Sequence, residues 1–383
     1  MNKKKHIIYL TNEYPKEGLD GGGIGSFVQF LGHGLTSKNI KISVIGINNI
    51  NKDEHEKDKE IDIYRLARSK WKFGKFYQNT QRILSKIEEI NKLYKVDIIE
   101  GSELNFAFFP KKTTYKKVIR LHGGHHFFAI ELGKKPALWR GFQEKRSFNR
   151  ADNYVAVSNY VGNQTQKHLK INFPFITIYN TVNTNKFKPN LSASIKKNQL
   201  LFVGTVCEKK GIRQLVESIA IIKKKINNVH LKIVGRDWVS RDGVSYVSYL
   251  KTIIPKELKK NIEFVGAVAH NKVTNYIDEA HLCIFPSHME AMPIAWLEGL
   301  AKGKTVIAAN IGPGRELIKD NKTGVLVDPY SPEDIAKKII LLLTNNEKAF
   351  FLAKEARIDI LDRFSPQKIL DKNITFYNSI LKN

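Results

Sequence analysis

The chain has 383 residues, 42% of them hydrophobic, so it can bury a large core, and its length favours two or three domains. No run approaches the roughly 18 apolar residues that a membrane span needs, and no signal-peptide pattern opens the chain, so we expect a cytoplasmic protein. The two cysteines, Cys207 and Cys283, have neither a disulfide-framework nor a metal-ligand spacing.

The formal net charge is +26. Such an excess attracts polyanions, whether an anionic membrane face, a phosphorylated substrate or nucleic acid. A general bias towards lysine is an equally good explanation, because lysines occur in every segment of the chain. No helix-turn-helix or zinc-finger pattern is present, so nucleic acid is not an expected partner.

The first half of the chain alternates apolar runs typical of buried parallel strands with helical patterns. The predicted strands are His6–Leu10 and residues 42–47, 96–99, 118–121, 154–157 and 176–179. Helices are predicted at about residues 25–37 and in a segment that ends at Tyr94. The polar residues 48–60 are expected to form an exposed loop.

A polar stretch without periodicity, residues 180–197, is the best candidate for an interdomain linker. A second alternation of strands and helices follows it. The predicted strands are residues 200–203, 231–234, 262–265, 282–285, 305–308 and 325–327, and the helices are residues 212–226, 246–259, 271–280 and 332–343, with one more opening at Pro293. Two such series predict an α/β protein of two doubly wound domains. Final helices at about 347–363 and 366–381 have no strand between them and could fold back across the linker.

Two glycine-containing segments follow predicted strands. Glycines 21–23 and Gly25 lie where a phosphate loop would lie, because glycine lets backbone amides approach an anion closely, but a plain tight turn is the alternative. His122-Gly123-Gly124-His125-His126 has no H-E-x-x-H pattern for zinc. We favour His122 as a hydrogen-bonding group at the carboxyl end of a strand, where open α/β sheets place ligands, and structural packing of these histidines stays open.

Basic and aromatic residues are interleaved in residues 71–77, and again at Lys134, Lys135, Trp139 and Arg140. Such mixtures suit a membrane interface, with rings at headgroup level and cations towards anionic lipid. Packing of the rings in the core is at least as good an interpretation.

The most informative stretch is residues 281–310. An apolar strand ends at Pro286, and a helical pattern opens at Pro293, which suits the first helical position because its missing N–H would have no partner there. The free amides of such a helix end attract anions. Glu290 and Glu298 bracket this end, eight positions apart. Alternatively, Glu298 pairs with Lys302 on a solvated face and Glu290 merely complements the helix dipole.

This stretch resembles the Glu-x7-Glu signature of the retaining glycosyltransferases of family 4, P-S-x-x-E-G-x-P-x-x-x-x-E-A. Ala291 and Gly299 depart from the commonest residues, whereas both carboxylates match. The resemblance implies the GT-B fold: two Rossmann-like doubly wound domains facing a central cleft, with C-terminal helices crossing back. It implies an acceptor domain at residues 1–185, completed by a helix at about 366–383, and a nucleotide-sugar donor domain at residues 186–365.

The same resemblance implies roles for further residues. Gly204 to Gly211 looks like the family's G-R-x-x-x-x-K-G loop for the donor diphosphate, with Lys210 at the lysine, Thr205 where arginine is usual, and Lys209 as a possible substitute. By resemblance, Glu298 takes the ribose hydroxyls, and Glu290 with the amides of Met292 and Ile294 after Pro293 takes the sugar and phosphates. The remaining implied donor-site residues are Gly22, Gly23, Ala267 and Val268. The resemblance places His122 near the transferred sugar, and the catalytic candidates are Glu290, His122 and Lys210.

The activity implied is retaining, metal-independent transfer of a hexose, with a UDP-sugar favoured over a GDP-sugar as donor. The acceptor would be a glycan or a lipid-linked saccharide in bacterial-type surface polysaccharide synthesis, with peripheral binding to an anionic membrane. No Asp-x-Asp occurs in the chain, and no metal or other cofactor is expected. The alternatives are a non-catalytic basic polyanion-binding protein and a nucleotide-sugar epimerase or hydrolase on the same fold.

Overall fold

The computed structural model describes residues 4–16, 23–71, 73–190, 192–240 and 242–382. The chain divides into two units. The first contains residues 1–180 and 369–383, and the second contains residues 181–368. The boundaries inferred from the sequence, after residues 185 and 365, lie a few residues from these.

The first unit is built on an eight-stranded sheet with the order β3-β4-β2-β1-β5-β6-β7-β8. Its strands are β1 His6–Leu10, β2 Lys41–Asn48, β3 Glu54–Asp58, β4 Ile61–Ala67, β5 Ile98–Gly101, β6 Lys116–Leu121, β7 Asn153–Ala156 and β8 Ile176–Thr177. Its first five helices are α1 Gly23–Thr36, α2 Lys75–Leu93, α3 His125–Glu131, α4 Leu138–Phe148 and α5 Asn159–Leu169. All paired strands are parallel except β3, which runs antiparallel to β4.

The hairpin of β3 and β4 corrects the expected loop at residues 48–60. The polar sequence of β3, Glu-His-Glu-Lys-Asp, has no apolar alternation because the strand lies at the sheet edge and alternates between half-buried and exposed positions. Charged side chains on an edge strand also discourage pairing with another chain. The neighbouring β4 is largely buried and was not predicted from the sequence.

The second unit contains a six-stranded parallel sheet with the order β11-β10-β9-β12-β13-β14. Its strands are β9 Gln199–Val203, β10 His230–Val234, β11 Ile262–Gly266, β12 Leu282–Phe285, β13 Thr305–Ala309 and β14 Val325–Val327. Its helices are α6 Ile212–Lys223, α7 Tyr246–Ile253, α8 His270–Glu279, α9 Ile294–Ala301, α10 Gly314–Leu317, α11 Pro332–Thr344 and α12 Asn346–Arg363.

Helix α7 is shorter than the helix predicted over residues 246–259. Pro255 disfavours helical geometry at the residue before it, so α7 ends at Ile253 and a separate 3-10 helix, Lys256–Asn261, leads into β11. None of the helices in the described part of the chain is long and apolar enough to cross a membrane.

The last helix, α13 Pro366–Lys382, packs into the core of the first unit. It contributes Ile369, Leu370, Phe376, Tyr377 and Ile380 to a cluster that includes residues of β1, α1 and β2. Parallel sheets need helices on both faces, and α13 supplies cover that the first 180 residues do not provide themselves.

A buried polar network joins α13 to the sheet. The Arg120 Nε donates to Glu100 Oε1 at 2.6 Å, and an Arg120 Nη2 donates to Asn373 Oδ1 at 2.6 Å. The Tyr377 hydroxyl donates to Glu100 Oε2 at 2.8 Å and lies 2.8 Å from the Tyr9 hydroxyl. Because Arg120 and Glu100 are almost fully buried, each charge depends on the other for compensation.

The Arg120→Met variant should lose about 3–5 kcal/mol of unfolding free energy, because it leaves the Glu100 charge buried without its partner. The double variant Arg120→Met/Glu100→Leu should recover most of that loss, because neither charge then remains. Denaturant unfolding followed by circular dichroism measures both. If the single and double variants lose the same unfolding free energy, the unpaired Glu100 carboxylate is not the cause of the loss.

Candidate active site

Two loops of the second unit lie against each other because β9 and β12 are neighbours in the sheet. One loop follows β9 and ends at Gly211, and the other follows β12 and begins at Pro286. Gly211 has a φ of 66°, and a Cβ there would lie 1.7 Å from the Pro286 carbonyl oxygen, so only glycine fits. The His288 amide also donates to the Lys209 carbonyl at 2.9 Å.

This contact places Lys210 beside Glu290. The Lys210 Nζ lies 2.5 Å from Glu290 Oε1, and both side chains are largely but not fully buried. The structure therefore brings together two of the residues predicted to contact the donor. Thr205 and Lys209 lie in the same loop as Lys210.

Glu298 has a different partner from the one considered in the sequence alternative. Its carboxylate is 4% exposed and accepts from the His270 Nε2 at 2.7 Å. The His270 Nδ1 in turn accepts from the Lys186 Nζ at 3.0 Å, so the proton of the imidazole is placed on Nε2. Lys302 binds both oxygens of Asp278 instead, at 2.8 and 2.7 Å, so the predicted Glu298–Lys302 alternative is wrong.

The helix that carries Glu298, α9, begins one residue later than predicted. Pro293 is extended, with φ −78° and ψ 106°, and precedes the first helical residue, Ile294. The first amides of α9 have no intrahelical acceptor, and no side chain caps them in the structure. Gly299 is explained by packing, because a Cβ there would lie 3.2 Å from Val306 on β13. Met292 and Pro293 are both buried.

Arg236 is a cation that the sequence reasoning missed. It follows the carboxyl end of β10, and its Nε lies 3.4 Å from the Thr205 hydroxyl. The ends of β9 and β10 approach closely, since a Cβ on Gly235 would lie 1.8 Å from the Gly204 carbonyl oxygen. An exposed guanidinium therefore lies beside the threonine that stands where the resemblance expects arginine.

Ala267 and Val268 lie in the short connection between β11 and α8. Ala267 is exposed and Val268 half-buried. This connection leads into α8, whose first residue, His270, is hydrogen-bonded to Glu298. The connection therefore lies close to the Glu298 carboxylate.

The first unit holds the other candidates, Gly22, Gly23 and His122. Gly22 lies outside the described residues, and Gly23 is the first residue of α1. The half-buried His122 ring packs edge-on against Phe27 of α1, with 5.9 Å between ring centroids. Burial and the nearby Arg120 lower the pKa of His122 to about 3, so the imidazole is neutral at physiological pH.

The other two histidines of the segment have structural partners. His125 Nε2 accepts from the Ala137 amide at 2.8 Å, and His126 Nδ1 lies 2.5 Å from Glu144 Oε2. For these two the packing interpretation is correct. In the part of the chain that the structure describes, no three His, Cys, Asp or Glu side chains gather as a metal-binding group.

Two buried carboxyls hold the segment that carries His122. Glu103 Oε1 accepts from the His122 amide at 2.7 Å, and Glu144 Oε2 accepts from the His126 amide at 2.9 Å. A Cβ on Gly124 would lie 1.9 Å from Glu144 Oε1 and 3.1 Å from the Glu103 Cβ, so Gly124 fits between the two side chains. Burial raises the pKa of Glu103 to about 8, with the nearby Glu144 adding to the increase and backbone amides opposing it.

The missed residues differ in how visible they were. His270 follows a segment already assigned to the nucleobase, and Arg236 comes two residues after a predicted strand, so both could have been found by inspecting the carboxyl ends of the strands. Glu103, Glu144 and Lys186 lie far along the chain from the groups they contact, and no local pattern marks them.

Comparison with known proteins gives a consistent result. Sucrose-phosphate synthase from Thermosynechococcus elongatus superposes with a TM-score of 0.83 over 99% of this chain and 100% of that one, at 19% identity. The Anabaena protein HepE, solved with UDP and glucose, gives a TM-score of 0.75 over 98% and 100%, at 16% identity. An uncharacterised glycosyltransferase of Methanocaldococcus jannaschii is 27% identical over 262 residues, 68% of each chain.

The chain is therefore a glycosyltransferase with the two-domain GT-B fold. Two family models divide it between them: residues 21–186 match Glycosyltransferase Family 4, and residues 183–359 match Glycosyl transferases group 1. Both matches support the resemblance to family 4 that the sequence shows.

The Glu103→Gln variant should change how stability depends on pH. A carboxyl whose pKa rises from 4.5 to about 8 on folding stabilises the fold below pH 4.5 and loses that contribution as the pH rises towards 8. Glutamine keeps an oxygen for the His122 amide but does not ionise. Relative to the unmodified protein, the variant should gain roughly 3 kcal/mol of unfolding free energy between pH 5 and pH 8.

Denaturant unfolding across that pH range measures the difference, and the exposed Glu60→Gln serves as the matched control. Parallel pH profiles for Glu103→Gln and the unmodified protein would show that Glu103 is ionised in the folded state and refute the assignment.

Proposed function

We propose that the protein is a retaining, metal-independent hexosyltransferase that uses a nucleotide sugar, with UDP favoured as the nucleotide. The observation that carries this proposal is the Lys210–Glu290 pair at the loop leading into α9. A cation, a carboxylate and the free amides of a helix end are the groups that a sugar with a diphosphate leaving group requires. UDP is also the nucleotide named with the HepE structure, which shares the fold.

The reaction has a simple charge balance. The bond between the anomeric carbon and the diphosphate oxygen breaks, and a bond from the same carbon to the acceptor hydroxyl oxygen forms on the same face of the sugar. The hydroxyl proton passes to the departing phosphate oxygen. Positive charge develops on the sugar and negative charge on the diphosphate, which Lys210, Lys209 and the first amides of α9 would stabilise.

No protein nucleophile is needed in this scheme, and Glu290 is assigned to orienting the donor sugar. Its ion pair with Lys210 supports this role, because a carboxylate whose charge is shared with an ammonium group is a weaker nucleophile. The pair also holds the Lys210 ammonium in place before the donor arrives, which reduces the reorganisation needed on binding.

Glu298 is assigned to the ribose hydroxyls and the 267–268 connection to the nucleobase. The buried Glu298 carboxylate already accepts from the largely exposed His270. A ribose hydroxyl would be a second donor to this carboxylate, with His270 and Lys186 fixing its orientation. In the first unit, the neutral His122 would hydrogen-bond the transferred sugar.

The proposed acceptor is a glycan or lipid-linked saccharide used in bacterial-type surface polysaccharide synthesis, reached at the inner face of a membrane. The large positive charge supports this setting, because anionic lipid attracts basic surfaces at short range. Polysaccharide synthesis gives a reason for such a location.

Saturation-transfer NMR against UDP-, GDP-, ADP- and dTDP-sugars tests the donor site. The unmodified protein should bind one donor selectively, and Glu298→Ala and Lys210→Ala should each weaken that binding about 10- to 100-fold by removing a charged hydrogen bond. Exposed Glu347→Ala and Lys322→Ala are matched controls that should bind normally. Absence of binding across the panel, or normal binding in both site variants, would contradict the proposal and favour a polyanion-binding protein.

Arg236 should supply the charge that Thr205 does not. We expect Arg236→Ala to weaken binding of the nucleotide sugar roughly tenfold, as expected for one lost charge-assisted contact. Adding Thr205→Arg to that variant should restore binding, because it places a guanidinium in the neighbouring loop, at the position that Arg236 contacts. Titration of the selected donor by calorimetry measures both. A normal affinity for Arg236→Ala would place Arg236 outside the donor site.

A further inference from the structure

Four exposed apolar side chains and one half-buried ring lie together on the first unit. In α4, Leu138 is 93% exposed and Trp139 60%, and the Trp139 ring stacks on Phe142 with centroids 5.6 Å apart. Phe108 lies 6.4 Å from Trp139 and 5.6 Å from Tyr77 at the start of α2. We call these five residues the α4 patch. Because Trp139 is exposed, the alternative that its ring packs in the core is wrong.

A cationic pocket adjoins the α4 patch through Phe142. This pocket has a volume of about 410 Å³ and is lined by Phe142, Lys111, Lys145, Arg146, Asn149 and Arg150. Its lining thus contains four cations and no carboxylate. None of these cations forms an ion pair with an acidic side chain in the described structure.

Backbone carbonyl groups hold the two arginines of the pocket. The Arg146 Nε donates to the Ala107 carbonyl at 2.7 Å, and an Arg150 Nη1 donates to the Phe109 carbonyl at 2.5 Å. Burial and the like charge of Arg146 lower the pKa of Arg150. The remaining N–H groups of both guanidiniums are therefore positioned but not neutralised, which favours binding of an anion.

The local charge is not the general lysine bias of the chain. Residues 104–117 and 134–150 together contain ten lysines and arginines and a single acidic residue, Glu144. Glu144 is completely buried and is bound to His126, so it does not face solvent. The exposed surface of these segments is thus uniformly cationic around the α4 patch.

We propose that the α4 patch and the cationic pocket form a surface that docks onto an anionic phospholipid membrane. The rings and Leu138 enter the membrane at headgroup level, and the pocket cations bind lipid phosphates. A membrane is favoured over a second copy of the chain, because pairing two such surfaces would bring like charges together. It is favoured over nucleic acid because an aliphatic side chain as exposed as Leu138 gains little from stacked bases.

The position of the patch within its unit fits this role. Tyr77, the patch residue on α2, comes after the carboxyl end of β4 in the chain, and Phe108 lies in the segment after the carboxyl end of β5. His122 follows the carboxyl end of the adjacent strand, β6, on the same edge of the parallel sheet. Docking would bring a membrane-borne acceptor towards that edge. Such docking explains how the enzyme reaches an acceptor at a membrane face, and the inference rests on that part of the proposed function.

Co-sedimentation of the full chain with vesicles at low salt tests the proposal. The protein should bind vesicles of phosphatidylcholine mixed with phosphatidylglycerol and not vesicles of phosphatidylcholine alone. Trp139→Ala/Phe142→Ala removes rings, and Lys111→Glu/Lys145→Glu reverses charge at two exposed positions. Each pair should lower the partition coefficient about tenfold or more.

Two control pairs make the same chemical changes elsewhere. Phe350→Ala/Phe351→Ala removes exposed rings from α12, and Lys322→Glu/Lys354→Glu reverses charge at exposed lysines of the second unit. The proposal is overturned if the patch variants bind vesicles as well as the unmodified protein does, or if the control pairs lose as much vesicle binding as the patch variants. It is also overturned if the protein binds a single-stranded oligonucleotide but no vesicles. Donor binding measured by NMR is independent of vesicles, so a chain that binds its donor but no membrane refutes only the docking surface.

Discussion

The close approach of Gly211 to the Pro286 carbonyl is the constraint on which the site of the second unit depends. A side chain at residue 211 would separate the loops after β9 and β12, and Lys210 would then lose Glu290 as a partner. The ion pair is thus a consequence of backbone packing. This explains why the relevant carboxylate and cation lie 80 residues apart in the chain yet form a contact of 2.5 Å.

A buried charge organises the first unit in a different way. Arg120 of β6 compensates Glu100 and also donates to Asn373, so the same buried guanidinium holds α13 against the sheet. That guanidinium lies near His122 and disfavours protonation of its imidazole. Burial is the main cause of the lowered pKa of His122, and the charge of Arg120 adds to it. The neutral ring can both donate and accept a hydrogen bond. Because Asn373 of α13 holds the Arg120 guanidinium, this helix makes a secondary contribution to the neutral state of His122.

Local sequence patterns predicted most of the fold because buried parallel strands are continuous apolar runs, as in β1, β9 and β12. They failed at β3, whose edge position leaves a polar sequence, and they placed Pro293 one residue inside a helix that begins after it. In the candidate site, motif spacing identified Lys210, Glu290 and Glu298. It did not identify His270, which only an inspection of the carboxyl ends of the strands would have found, and it could not identify Glu103 or Lys186, because no local pattern marks them.

The cations behind the net charge of +26 differ in how strongly they act outside the protein, because some are paired with buried carboxylates and others are not. Lys302 is buried against Asp278, and Arg120 against Glu100, so neither contributes much field outside the protein. The cations around α4 are in contrast held by carbonyl groups or left in solvent, and the only acid in the two segments that supply them faces inward. An even distribution of lysine in the sequence thus becomes an uneven distribution of uncompensated charge on the surface. Since only uncompensated charge attracts an anionic partner, the cations around α4 matter more for binding than the total charge of the chain.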